Sequence, residues 1–145
     1  MLIIIDLQKG FMDKPWSNYK KTKIRNIQER INESIKLDEP IVVLTYKSHG
    51  RTVTEITKSY KGYKNKHYVQ KIDMDGSYEL ITYFEKKKMN IRRIELIGAF
   101  TEQCVLETRK GLVDKGFEVA KINKTLCIDG GWPIYKEDKV HINTE

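Results

Sequence analysis

Ile94-Glu95-Leu96-Ile97-Gly98-Ala99-Phe100-Thr101-Glu102-Gln103-Cys104-Val105 is a short apolar run that ends in glycine and passes straight into a helix-like segment. An apolar run bounded by Gly reads as a buried strand, and Val105, Leu106, Leu112 and Val113 follow as the inward face of a helix. In such a strand-loop-helix unit the Cys104 thiol stands at the carboxyl end of a strand, beside the first helical turn. The free N–H groups and positive dipole end of that turn favour a thiolate. Cys104 is therefore the leading candidate nucleophile.

Working outward, Leu2-Ile3-Ile4-Ile5 and the run from Ile41 to Thr45 are continuously apolar and rich in β-branched residues, as strands covered on both faces are. From Thr22 onward Ile24, Ile27, Ile31 and Ile35 recur at spacings of three and four, which predicts a helix ending near Leu37-Asp38, before Pro40. The stretch from Tyr46 to His67 has no regular pattern, and Tyr68-Val69-Gln70 reads as a short strand. Asp75-Gly76-Ser77 turns and caps a helix carrying Leu80, Ile81 and Phe84. The helix after Cys104 begins at about Gln103 and closes at Gly116, and Phe117 to Ile122 and Thr125 to Ile128 supply the last strand candidates.

Strands alternating with helices predict an α/β fold, a three-layer α/β/α sandwich with a mostly parallel sheet and Rossmann-like topology. Ligands bind such sheets beyond the carboxyl ends of the strands. Asp6, Lys71 and Cys104 all fall at those ends. They are distant in sequence and expected to be close in space.

Composition sets the limits. A chain of 145 residues fits one domain spanning 1–145. The longest aliphatic stretch, Leu2 to Ile5, is far short of a bilayer span and is followed by charges, so neither a membrane helix nor a secretory signal is readable. Two cysteines, Cys104 and Cys127, make no disulfide framework and fit reduced thiols in the cytoplasm; Cys127 reads as a packed strand residue. The net charge of +7 raises the possibility of nucleic acid, yet the lysines are dispersed and match no DNA- or RNA-binding module. A solvated, lysine-rich surface is the favoured reading; Tyr60 to Tyr68, which mixes tyrosines with lysines, reads equally as a loop or as a stretch that stacks on bases and neutralises a strand.

Asp6-Leu7-Gln8-Lys9-Gly10-Phe11 after an apolar strand resembles the Asp-x-Gln-x-x-Phe signature of the isochorismatase-like cysteine hydrolases, a family that includes nicotinamidases and carbamoyl-amide hydrolases. Gly98 to Val105 is similar to the family's Gly-x-x-Thr-x-x-Cys-Val segment, and Gly116-Phe117 with Asp129 stands where the family places Gly-Tyr and a later Asp. The resemblance implies a triad of Cys104 as nucleophile, Asp6 as its base and Lys71 as the cation that tunes both. It implies an oxyanion hole from the backbone N–H groups of Phe100 and Cys104, a cis peptide at Ala99–Phe100, and a pocket drawing on Gln8, Phe11, Trp16 and Thr101. No cofactor is implied.

The chain also departs from the family. Metal-dependent nicotinamidases carry an acidic ligand after the second strand, where this chain reads Thr45-Tyr46-Lys47-Ser48-His49, so no bound metal is expected. Some isochorismatases lack the cysteine, and its presence here favours C–N bond hydrolysis of a small amide, imide or carbamoyl compound through a thioester. The sequence after Asp129 is short for the family, with Trp132 and Tyr135 available to cap the pocket or to pack in a homo-oligomer. Two rival readings stand beside the hydrolase: a degenerate member that binds a ligand or partner without turnover, and a basic nucleic-acid-binding protein.

Overall fold

The computed structural model describes residues 1–130. Leu2–Ile5 form the central strand β1, buried on both faces as its unbroken aliphatic run requires. It pairs in parallel with β2 (Ile41–Tyr46) on one side and β4 (Glu95–Ala99) on the other. Beyond β2 lies β3 (Lys66–Lys71), and beyond β4 lies β5 (Cys127–Ile128), both again parallel. The order β3-β2-β1-β4-β5 changes direction at β1, which leaves a crevice beyond the carboxyl ends of β1 and β4.

Successive β1 side chains point to opposite faces and found two cores. Leu2 and Ile4 pack with Ile24, Ile27 and Ile31 of helix α1 (Asn18–Lys36) and with Ile56 and Tyr60 of α2 (Thr54–Tyr60). Ile3 and Ile5 pack with Leu80 and Phe84 of α3 (Ser77–Lys86) and Leu112 of α4 (Leu106–Asp114). The result is the three-layer α/β/α sandwich that the alternation of elements predicts. Among the described residues no helix is long and apolar enough to cross a membrane.

Several local expectations are corrected. Helix α1 begins four residues before Thr22, because Ser17 caps it by accepting from the Lys20 N–H at 3.2 Å and its first turn is polar. The irregular stretch contains α2, a seven-residue helix with only Ile56 and Tyr60 buried, too few positions for a periodic signal. Strand β3 is longer than Tyr68 to Gln70 because an edge strand keeps polar residues on its open face. Phe117 to Ile122 is no strand: Val119 makes one isolated bridge to Ile94. Residues 124–126 form a 3₁₀ turn, leaving two residues for β5. Val113, expected to face inward, is exposed. Trp132 and Tyr135 lie outside the described residues.

Gly98 pairs with Ile5 at φ +120°, and a Cβ there would overlap the Ile5 carbonyl oxygen. Gly62, at φ +81°, has open space around it. Gly98→Ala should therefore cost at least about 3 kcal/mol, through steric overlap added to backbone strain, whereas Gly62→Ala should cost only the conformational part, about 1–2 kcal/mol. Urea unfolding midpoints of the two variants check this; equal losses would mean that β1 and β4 do not meet as described.

Candidate active site

Asp6 follows β1 directly, with φ at +53°, a left-handed conformation that a short polar side chain tolerates. Its N–H donates to the Leu44 carbonyl at 3.0 Å, which holds the turn against β2. Cys104 approaches from the other side of the crevice. The chain leaves β4 through a cis peptide at Ala99–Phe100, as the resemblance implies, and enters a single π-helical turn, Thr101–Val105, that leads into α4. The helix expected from Gln103 thus begins with a wider turn, and Cys104 sits within it.

Lys71 ends β3, two strands away from β1, a gap of about 9–10 Å at ordinary strand spacing. Only a long side chain crosses that distance. Its stem runs past Leu44 under Gly76, where an added Cβ would come within 2.8 Å of both Lys71 Cδ and Leu44 Cδ2. The Gly76 N–H is held in place by Thr108 Oγ1 of α4 at 3.0 Å. At the end of the stem, Lys71 Nζ lies 3.1 Å from Asp6 Oδ2, 3.3 Å from Cys104 Sγ and 2.9 Å from the Asp73 carbonyl. It also stands 4.0 Å over the Tyr46 ring. The carboxylate, ammonium and sulfhydryl therefore meet, and all three are buried, at 1%, 0% and 5% exposure.

Burial dominates the electrostatics. It raises the Asp6 carboxyl above its ordinary value, against the pull of the Lys71 charge. The Cys104 thiol is pushed up to about 12, first by burial and then by the Asp6 charge, with Lys71 opposing. Burial thus works against the thiolate that the sequence leads one to expect at Cys104. Asp6 interacts with both the Lys71 ammonium and the Cys104 thiol, and both contacts oppose the effect of burial on its carboxyl. Cys127 is wholly buried and its thiol is likewise pushed up to about 12 by burial.

The other expected pocket residues divide. Phe11 stacks on His49 with centroids 4.2 Å apart and meets Phe100 edge-on at 5.6 Å, forming an aromatic wall near the triad. Thr101 is buried three residues before Cys104, and its hydroxyl has no hydrogen-bond partner among the described residues. Gln8, expected as a support for the loop and pocket wall, clamps backbone. Its amide nitrogen donates to the carbonyls of Tyr46, Ser48 and Gly50 at 2.7–3.0 Å and its oxygen accepts from the Tyr46 N–H at 2.7 Å, which uses the group up on backbone. Trp16, expected at the entrance, packs on the α1-side core, donating to the Met12 carbonyl at 3.0 Å beneath Lys14.

Tyr46 and Asp73, which complete the Lys71 shell, are not singled out by the sequence. Parallel pairing of Tyr46 with Lys71 at the strand ends is the signal that identifies Tyr46. The residues present do not suit the metal of metal-dependent relatives. His49 is engaged by Ser48 Oγ at 2.8 Å and by the Phe11 stack, and His67 lies at the opposite end of β3 against Tyr83 and Asn65. Among the described residues no group of three His, Cys, Asp or Glu gathers at metal-binding spacing.

A parallel sheet with a buried carboxylate, lysine and cysteine at its switch point defines an α/β architecture of the isochorismatase-like kind. The chain belongs to the isochorismatase family: the Isochorismatase domain model matches residues 1–127. Solved structures agree in fold. A nicotinamidase from Bacillus subtilis superposes with a TM-score of 0.76 at 16% identity, covering 99% of this chain and 91% of its own. An N-carbamoylsarcosine amidase from Thermoplasma acidophilum gives 0.73 at 13% identity, covering 99% and 90%. An isochorismatase from Pseudomonas putida KT2440 gives 0.77 at 13%, covering 99% and 81%. No match to a curated protein reaches significance.

Because the thiol is protonated near neutrality, alkylation of Cys104 by iodoacetamide should accelerate with pH toward 10, with no plateau near pH 7. Lys71→Met, which removes the charge favouring the thiolate, should slow it at least about tenfold, the effect of one pKa unit. Cys127 should stay unlabelled in the folded protein. Peptide mapping after timed labelling reads all three, and a plateau below pH 8 would contradict the description.

Proposed function

We propose that the protein is a cysteine hydrolase that cleaves the C–N bond of a small amide, imide or carbamoyl compound through a thioester on Cys104. The observation that carries this reading is the single ammonium of Lys71 within 3.1 Å of Asp6 Oδ2 and 3.3 Å of Cys104 Sγ. Membership of the isochorismatase family supports it, as do structural neighbours described as a nicotinamidase and an N-carbamoylsarcosine amidase.

The chemistry follows from the protonation states. As Cys104 Sγ attacks the carbonyl carbon, its proton passes to Asp6, so no free thiolate has to be stored in the buried site. Lys71 steadies the sulfur and the carboxylate while the negative charge passes from Asp6 to the carbonyl oxygen of the substrate. The tetrahedral oxyanion accepts hydrogen bonds from the backbone N–H groups of Phe100 and Cys104, and the Thr101 hydroxyl is free to bind the substrate. Collapse breaks the C–N bond, and Asp6 returns the proton to the departing nitrogen, which leaves as ammonia or an amine. Water then attacks the thioester and gives a proton to Asp6; the acid departs and the thiol is restored. Phe11 and Phe100 supply an apolar wall that suits a small, flat substrate.

Ammonia release from a panel of small amides and ureido acids, with Cys104→Ala as blank, tests the reaction. Intact-protein mass spectra during turnover should show an acyl adduct on Cys104. Asp6→Asn should lower kcat about 10²–10⁴-fold. Since Asp6 must be ionised to accept the proton and burial raises its pKa, activity should fail on the acid side at a pH above the ordinary carboxyl value of 3.8. Absence of both adduct and ammonia across the panel would leave a family member that binds without turnover.

Gly76 is a positioning residue for Lys71. Gly76→Ala should displace the lysine stem, cutting kcat more than about tenfold with KM little changed, since near-attack geometry is lost before binding is. Wild-type kcat in that variant would remove Gly76 from this role.

A further inference from the structure

β3 is an edge strand whose alternate residues Lys66, Tyr68 and Gln70 face α2. Between them, α2 and the segment 50–52 lies an open groove of about 740 Å³. That volume lies within the range of about 300–1,000 Å³ common to small-ligand sites. None of Asp6, Lys71 and Cys104 lines it, so it is separate from the triad.

Its charge is one-sided. Lys9, Arg51, Lys58, Lys61 and Lys66 line the groove, and no aspartate or glutamate does so among the described residues. None of the five is in a salt bridge among the described residues. Glu55, the acidic residue of α2, pairs with Lys14 at 2.6 Å and also feels the charge of Lys58, and it does not line the groove. Gathering five cations around one concavity raises the local potential, and a bound anion would offset it. Tyr68 adds a second chemistry: it stands on the same wall with 59% of its surface exposed, an aromatic face that the core does not use. Cations beside an open aromatic ring suit phosphate groups joined to a stackable ring.

We propose that this groove is a second binding site, for a ligand carrying phosphate groups and a base, as a single-stranded nucleic acid or a free nucleotide does. The site is independent of the proposed hydrolysis.

Fluorescence anisotropy of a fluorescein-labelled thymidine 12-mer, titrated with the full-length protein at 50 and 200 mM NaCl, tests it. Binding should weaken at least tenfold in Arg51→Glu/Lys58→Glu/Lys61→Glu. It should change less than threefold in Lys86→Glu/Lys87→Glu/Lys88→Glu, an exposed lysine cluster on the far side of the sheet. Tyr68→Ala should weaken the 12-mer at least fivefold. The salt slope should be no steeper than about −3.5, from five cations on a single strand. ATP competing as well as the 12-mer at equal phosphate concentration identifies a nucleotide site, and competition by oligonucleotide alone identifies a strand site. Absence of binding at 50 mM salt, equal losses in the two triple variants, or an unchanged affinity in Tyr68→Ala would each overturn the proposal. Circular dichroism verifies that the variants fold, and the single exposed substitution Lys61→Glu serves if the triple variant does not.

Discussion

An ammonium group with no exposed surface governs the design of this protein. Taking a lysine charge out of water costs several kcal/mol even after relaxation, and it is tolerable only where partners replace the lost hydration. Lys71 has four: the Asp6 carboxylate, the Cys104 sulfur, the Asp73 carbonyl and the face of Tyr46. Each comes from a different part of the chain. The lysine is therefore satisfied only when β1, β2 and β3 are in register, when the loop after β3 has closed, and when the turn after β4 has brought its thiol inward. A methionine would fill the same space without any of these demands.

The same burial sets the resting state of the thiol. Sequence logic looks for whatever lowers the pKa of a nucleophile, and a lysine and a helix start are both present. Yet desolvation and the adjoining carboxylate outweigh them and push the thiol up to about 12. The Asp6 carboxylate is held 3.1 Å from the Lys71 ammonium, and burial raises its pKa against the pull of that charge. Carboxylate, ammonium and thiol are thereby held together in one desolvated site.

Rigidity around the site comes from backbone pairing. The segment after Asp6 runs antiparallel to residues 49–53: Val53 donates to the Leu7 carbonyl, Lys9 to that of Arg51 and Gly10 to that of His49. Gln8 fastens the same two segments with its amide. This ribbon places Phe11 against His49 and Phe100 on the side of the triad. Its outer side, through Lys9, Gly50, Arg51 and Thr52, forms part of the basic groove.

The sequence by itself determined the layers. Short, β-branched, unbroken runs such as Leu2 to Ile5 suit a strand covered on both faces, and the Ile24 to Ile31 stripe suits a helix laid on one face. These are local properties, so the sheet, its flanking helices and the three chemically active strand ends were legible. Weaker local signals failed: α2 has two buried residues, β3 hides its length behind polar edge positions, and Phe117 to Ile122 looks apolar enough for a strand but makes a single bridge. Tertiary structure alone decided which carbonyls Gln8 clamps, that Tyr46 and Gly76 stand beside Lys71, and that burial pushes the Cys104 thiol up. The physical reason is that each of these depends on distance and desolvation between residues remote in the chain, and neither quantity exists until the strands have aligned and water has been excluded.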